Sequence, residues 1–96
     1  MRVNEPALDL GIVLAVASSF KNIGISEDVA VVGEVGLTGE VRAVNMIEKR
    51  IKEIEKLGYK KCLIPESNKK VLKENYKLDI IGVKNVVDAL KYFKLK

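Results

Sequence analysis

The stretch Gly33-Glu34-Val35-Gly36-Leu37-Thr38-Gly39-Glu40-Val41-Arg42 decides how the chain is read. Two short runs, each centred on a valine, flank a glycine-rich middle, which predicts a strand, a glycine-containing turn and a returning strand. The spacing of Gly33, Gly36 and Gly39 is G-x-x-G-x-x-G. It matches neither the dinucleotide fingerprint nor the Walker A loop, and no lysine-serine/threonine pair follows, so the glycines read as hairpin glycines.

Outward from the hairpin, Val29-Ala30-Val31-Val32 predicts a β-branched strand, preceded by a loop over 21–28. Downstream, Ile47, Ile51 and Ile54 recur at helical spacing and predict an amphipathic helix over 46–57, closed by Gly58. Glu48 with Lys52 and Lys49 with Glu53 have the spacing of i,i+4 pairs on its exposed side. Lys61-Cys62-Leu63-Ile64 predicts a short strand stopped by Pro65, and Ser67 caps a short helix through Glu74. Residues 78–83 predict another strand. Asn85 caps a last helix with an apolar stripe of Val86, Val87, Leu90 and Phe93, and Asp88 follows three residues after the cap.

Upstream, residues 6–20 predict a helix capped by Asn4 or Glu5, with Pro6 in its first turn. Leu10 to Ala17 is apolar on every side, the pattern of a buried core helix, and Asp9 suits its N-terminal dipole. The alternation of strand and helix in the second half implies a parallel, helix-covered part, and the hairpin an antiparallel one. The expected class is therefore α/β (α+β) with a mixed sheet and packed helices. A core helix needs a sheet face to cover it and few residues precede this one, so the domain is expected to lack N-terminal strands.

The 96 residues suit one domain over 1–96, with 48% hydrophobic and 31% charged residues, a globular balance. There is no histidine, which excludes Ser-His-Asp and Cys-His catalysis and imidazole metal sites. The single cysteine, Cys62, excludes an internal disulfide and a cysteine metal cluster; it reads as a small buried hydrophobe and fits a reducing cytoplasm. The longest apolar run, Leu10 to Ala17, falls far short of the roughly 20 residues of a membrane span. No signal peptide, linker or internal repeat is evident. Charge is uneven: residues 1–48 carry 3 basic and 7 acidic side chains, a net −4, and residues 49–96 carry 14 and 6, a net +8.

Asn4-Glu5-Pro6-Ala7-Leu8-Asp9-Leu10, Ala17-Ser18-Ser19-Phe20, the 33–42 run, Leu57-Gly58 through Ile64-Pro65, and Ile81 through Leu90 occur in an order that closely resembles the C-terminal domain of the RadA (Sms) family of bacterial DNA repair proteins. That domain is similar in turn to the proteolytic domain of Lon proteases, with a ribosomal S5 domain 2-like fold. The resemblance implies a Lon-protease-like mixed sheet with packed helices. Lon uses a serine–lysine dyad. Carried over by motif, Ala7 stands at the serine position, Glu48 at the lysine position and Val32 at the position of a threonine before the G-E-V run. Lys49 is one residue on, turned about 100° around the helix. Ser18 and Ser19 lie at the far end of the first helix, with no lysine placed to activate them. The resemblance thus implies a domain without peptidase activity, the alternative being a degenerate or residual Lon-type serine peptidase.

The resemblance further implies a parent that is an ATP-driven, hexameric recombination motor. Its ATP, magnesium and zinc sites belong to domains outside these residues, so no cofactor or metal is expected here. Candidate DNA contacts are Lys49, Arg50, Lys52, Lys56, Lys60 and Lys61 around one helix, and Lys69, Lys70 and Lys73 near the next. The alternative for these is a solvated lysine-rich surface, and Glu53 and Glu55 dilute the first group. An acidic face on one subunit meeting a basic face on the next would give head-to-tail self-association. Expected partners are therefore other subunits and DNA, with no membrane.

Overall fold

A computed structural model describes residues 5–96. A single 3-10 turn, Pro6–Leu8, opens directly into helix α1, Asp9–Lys21. There follow strand β1 (Val29–Val31), the hairpin strands β2 (Glu34–Val35) and β3 (Val41–Arg42), helix α2 (Ile47–Lys56), strand β4 (Lys61–Pro65), helix α3 (Glu66–Lys69), strand β5 (Asp79–Val83) and helix α4 (Val86–Tyr92).

The parallel and antiparallel parts are both present, as two ladders rather than one. β4 lies between β1 and β5 in a three-stranded parallel sheet, and β2–β3 form their own antiparallel ribbon. β4 carries Cys62, Leu63 and Ile64, all fully buried. Side chains alternate faces along a strand. Cys62 and Ile64 accordingly join Ala7, Val32, Ile47, Ile51 and Leu78, while Leu63 joins Leu10, Leu14, Val41, Val83, Ala89 and Leu95. A strand covered on both faces reads as a continuous apolar run, which is what residues 62–64 are.

Several local expectations change. Asn4 lies outside the described residues, and α1 has no side-chain cap; Leu8 occupies the cap position, after a turn in which its amide donates to the Glu5 carbonyl. α1 is not buried all round. Leu10 and Leu14 are buried, but Leu8, Ile12, Val16 and Phe20 are exposed, because among the described residues only one side of the helix meets other elements. Neither i,i+4 pair on α2 closes. The Tyr76 hydroxyl donates to Glu48 (3.2 Å), Lys52 pairs with Glu74 (3.5 Å), and Glu55 accepts from the Lys77 amide (2.6 Å). One face of α2 thus pins the segment before β5. α3 begins at Glu66 and ends at Lys69, with Pro65 at its cap and no side-chain cap, so Ser67 lies within it and the helix stops short of Glu74. Asn85 does cap α4, accepting the Asp88 amide at 2.9 Å, while the Asp88 carboxylate accepts the Lys84 amide. Val87 faces solvent and Ala89 takes the buried position.

The 33–42 hairpin is tied down at every level. The Leu10 amide donates to the Gly33 carbonyl, and the Gly33 amide to the Ala7 carbonyl. A β-carbon at Gly33 would lie 2.9 Å from Val41 Cγ1 and 3.2 Å from Leu10 Cδ2, so the position admits no side chain. Gly39 adopts φ +84, and its amide bonds the Gly36 carbonyl. The Glu40 carboxylate folds back over the turn, accepting from the Thr38 amide (3.0 Å) and hydroxyl (2.8 Å) and pairing with Arg42 (3.2 Å). Those bonds, the Thr38 hydroxyl foremost, hold its pKa down at about 2. β3 is fastened in turn to the end of β5: the Val41 amide donates to the Lys84 carbonyl and the Val86 amide to the Gly39 carbonyl.

Gly33→Val, which forces a side chain against Val41 and Leu10, should lower stability by about 1–3 kcal/mol in thermal unfolding. Gly11→Ala, in a helix interior with open space at its β-carbon, should raise it by about 0.5–1 kcal/mol. Because the Glu40 pKa is depressed in the fold, its contribution is complete above the ordinary value of 4.5 and is lost as pH falls toward about 2. NMR titration should show the Glu40 carboxyl and the Thr38 amide moving together in that window. A Glu40 midpoint near 4.5 would contradict the turn geometry.

Candidate functional site

Ala7, which the resemblance leads one to expect at the Lon serine position, sits where the chain enters α1. Its carbonyl accepts the Gly33 amide and its methyl is buried with Val32, Ile47 and Ile51. Ala7 and Val32 are therefore members of one apolar cluster. Beside Ala7 opens a cleft of about 380 Å³ between the start of the chain, β2 and the β3–α2 connection. Its walls are Glu5, Glu34, Ala43, Val44 and Asn45, and Arg50 projects into it from α2.

The Arg50 guanidinium is held by three groups: Glu5 Oε1 at 2.8 Å, the Asn45 carbonyl at 2.9 Å and Asn45 Oδ1 at 3.0 Å. The connection carrying Asn45 is itself fixed. Asn68, 5% exposed, accepts the Val44 amide at 2.8 Å and donates to the Val44 carbonyl at 3.1 Å. Sequence reasoning placed Arg50 among DNA contacts and missed its role here, since nothing local links it to Glu5, 45 residues away. Glu48 does not line this cleft. It receives the Tyr76 hydroxyl, whose pKa is pushed up to about 12 by burial first and by the neighbouring Glu48 charge second.

Ser18 and Cys62 are not among the described residues that line this cleft. Ser18 donates its hydroxyl to the Ile23 carbonyl at the far end of α1, where Asn22 in the left-handed region ends the helix. Cys62 is fully buried, and burial raises its thiol to about 12. No cluster of three or more His, Cys, Asp or Glu able to hold a metal occurs among the described residues. No described helix is long and apolar enough to cross a membrane.

The basic candidates differ in what surrounds them. Arg50 is engaged in the cleft and Lys52 is paired with Glu74. Lys49 and Lys56, seven residues apart, share another side of α2, with Glu53 between them in sequence; Met46, Lys49, Arg50 and Glu53 line one shallow depression. Lys60 and Lys61 lie by Asp28, whose pKa is lowered mainly by the Ser26 hydroxyl and further by these two charges. Lys69, Lys70 and Lys73 are exposed on and after α3. Lys84, absent from the sequence-derived set, joins Lys70 in one groove, because β5 ends beside α3.

Arg50→Ala should free Glu5 and loosen the Asn45 connection. The pair is partly exposed, at 28% and 48% for the two side chains, so the expected loss is about 0.5–1 kcal/mol, smaller at high salt. Thermal melts at two ionic strengths check this; an unchanged melting temperature at low salt would show the latch carries no stability.

Residues 3–94 match the model of the Lon protease (S16) C-terminal proteolytic domain. The chain is 45% identical over 91 residues to the DNA repair proteins RadA of Halalkalibacterium halodurans and Bacillus subtilis, and 43% identical over 95 residues to that of Chlamydia pneumoniae. These alignments cover 95% of this chain and 20% of each relative, so the chain spans about a fifth of the length of the curated relatives it matches. Match and fold agree: the chain belongs to the Lon protease C-terminal proteolytic domain family.

Proposed function

We propose that this chain is a Lon-like C-terminal domain of a RadA-type DNA repair and recombination ATPase, that it hydrolyses no peptide bond, and that it serves as an assembly scaffold with a lysine-rich DNA-contact surface. The observation that carries the reading is the make-up of the cleft beside Ala7. Among the described residues that line it, none has a hydroxyl, thiol or amine, and the cation they include, Arg50, is already bonded to Glu5 and Asn45. A serine–lysine mechanism needs an alcohol and an uncharged amine. A guanidinium is neither.

ATP, magnesium and zinc belong, on this reading, to other domains of the parent. In support of this, Gly33, Gly36 and Gly39 belong to the hairpin and its turn, and no metal-holding group of acidic side chains occurs among the described residues. A reducing, cytoplasmic setting suits a lone buried thiol such as Cys62.

For DNA, the lysines without an ion pair among the described residues, Lys49, Lys56, Lys69 and Lys73 foremost, supply a sequence-independent phosphate surface. Titration of labelled single-stranded and duplex DNA should show affinity falling with salt, each phosphate contact adding about 0.9 to the slope of log K against log salt. Lys69→Gln and Lys73→Gln should each shrink that slope by about 1. Lys52→Gln should leave it unchanged. In parallel, a fluorogenic peptide should remain intact. Salt-independent or absent DNA binding would remove the DNA arm of the proposal, and turnover abolished by Ser18→Ala or Ser19→Ala would replace the scaffold with a peptidase.

A further inference from the structure

The two outer strands of the parallel sheet differ in what lies along their free edges. In a parallel ladder alternate residues bond one neighbour, and the residues between them turn their amide and carbonyl the other way. The edge of β1 is capped just past its end, where Gly33 bonds Ala7 and Leu10. β5 is different. The Asp79 amide donates to the Lys60 carbonyl, so Asp79, Ile81 and Val83 face β4. Ile80 and Gly82 turn their backbone groups away from it, and neither has another backbone partner among the described residues. Exposure agrees. Cys62, Leu63 and Ile64 of β4 are fully buried, whereas Ile80, Ile81 and Gly82 are all partly exposed.

An open edge presents donors and acceptors in alternation, and an extended peptide segment is the shape that answers both. A phosphodiester has acceptors only, and leaves the Ile80 and Gly82 carbonyls without donors. The surroundings specify the charge of the segment. Lys69 lies over Gly82, its Cδ 3.1 Å from where a β-carbon would stand. Lys70, Val71 and Lys84 line one groove of about 370 Å³ at the end of β5. All three lysines are exposed, and none takes part in an ion pair among the described residues. Two acids stand near them: Glu66 rests against the bare Cα of Gly82, and Asp88 accepts the Lys84 amide. Pairing this edge with the same edge of a second copy would set the three lysines against their own counterparts, which disfavours self-pairing here.

We infer that the β5 edge at Ile80 and Gly82 is a docking site for an extended acidic segment of a partner protein. The segment adds to the sheet as a further strand, and its carboxylates meet Lys69, Lys70 and Lys84. This inference is independent of the assembly and DNA readings above.

Amide hydrogen exchange followed by NMR on the free chain should find Ile80 and Gly82 exchanging faster than Ile81 and Val83. A short synthetic peptide alternating glutamate and valine should slow exchange at Ile80 and Gly82 about tenfold or more at saturation, with an affinity that falls as salt rises. Its lysine–valine counterpart should leave both amides unchanged. N-methylation of one alternate set of peptide amides should abolish the effect and of the other set preserve it, the signature of an added strand. Lys70→Glu combined with Lys84→Glu alters exposed positions. That variant should keep the wild-type melting curve and raise the peptide Kd about tenfold. Protection of Ile80 and Gly82 in the free chain, no slowing at millimolar acidic peptide and low salt, or equal slowing by the lysine counterpart would overturn the inference. A single-stranded oligonucleotide that slows the same two amides would also overturn it, giving the edge to the DNA surface.

Discussion

The burial of β4 on both faces is the constraint on which the rest of the structure depends. Cys62, Leu63 and Ile64 are removed from water, each large aliphatic side chain contributing about 1.5–3 kcal/mol. Their backbone groups must then be satisfied by neighbours. β1 and β5 supply those partners, both parallel to β4. A parallel neighbour cannot be reached by a tight turn, so the chain must cross over a face of the sheet each time. The hairpin and α2 make the first crossing and α3 with the segment before β5 makes the second. The two apolar clusters are the two faces so covered, one by α2 and the other by α1 and α4.

The cleft is a product of the same constraint. The Val32 amide donates to the Leu63 carbonyl at 2.9 Å, the last bond before the chain leaves the sheet. Gly33 then bonds Ala7 and Leu10, fastening the entry of α1 to the exit of β1. Ala7, Glu34 and the connection bearing Asn45 converge there because β4 holds β1 in place and Asn68, just after β4, holds Val44. The convergence brings together an alanine methyl and an arginine locked between a glutamate and an asparagine. The described side chains at this point serve packing and ion pairing.

Much of this was legible in the sequence because it is local. The spacing of Ile47, Ile51 and Ile54 marks the buried face of α2, Gly58 its end and Asn85 the start of α4, and all three hold. The apolar run 62–64 marks a buried strand. What could not be read depends on neighbours distant in the chain. α1 has apolar residues all round, but which of them are covered depends on what lies beside it, and only Leu10 and Leu14 are buried. Glu48 and Lys52 have the spacing of a helix pair, yet Tyr76 and Glu74 compete successfully for them from another segment. Arg50 looked like one more surface cation until Glu5 was placed against it.

The central claim is that a Lon proteolytic fold is used here without its chemistry. Reaction with a fluorophosphonate, which phosphonylates activated serine hydroxyls, tests that claim most directly when followed by intact-mass spectrometry. An Ala7 position without a nucleophile and a Ser18 hydroxyl committed to the Ile23 carbonyl predict an unmodified chain. A stoichiometric adduct mapped to Ser18, Ser19 or any other serine would contradict the account.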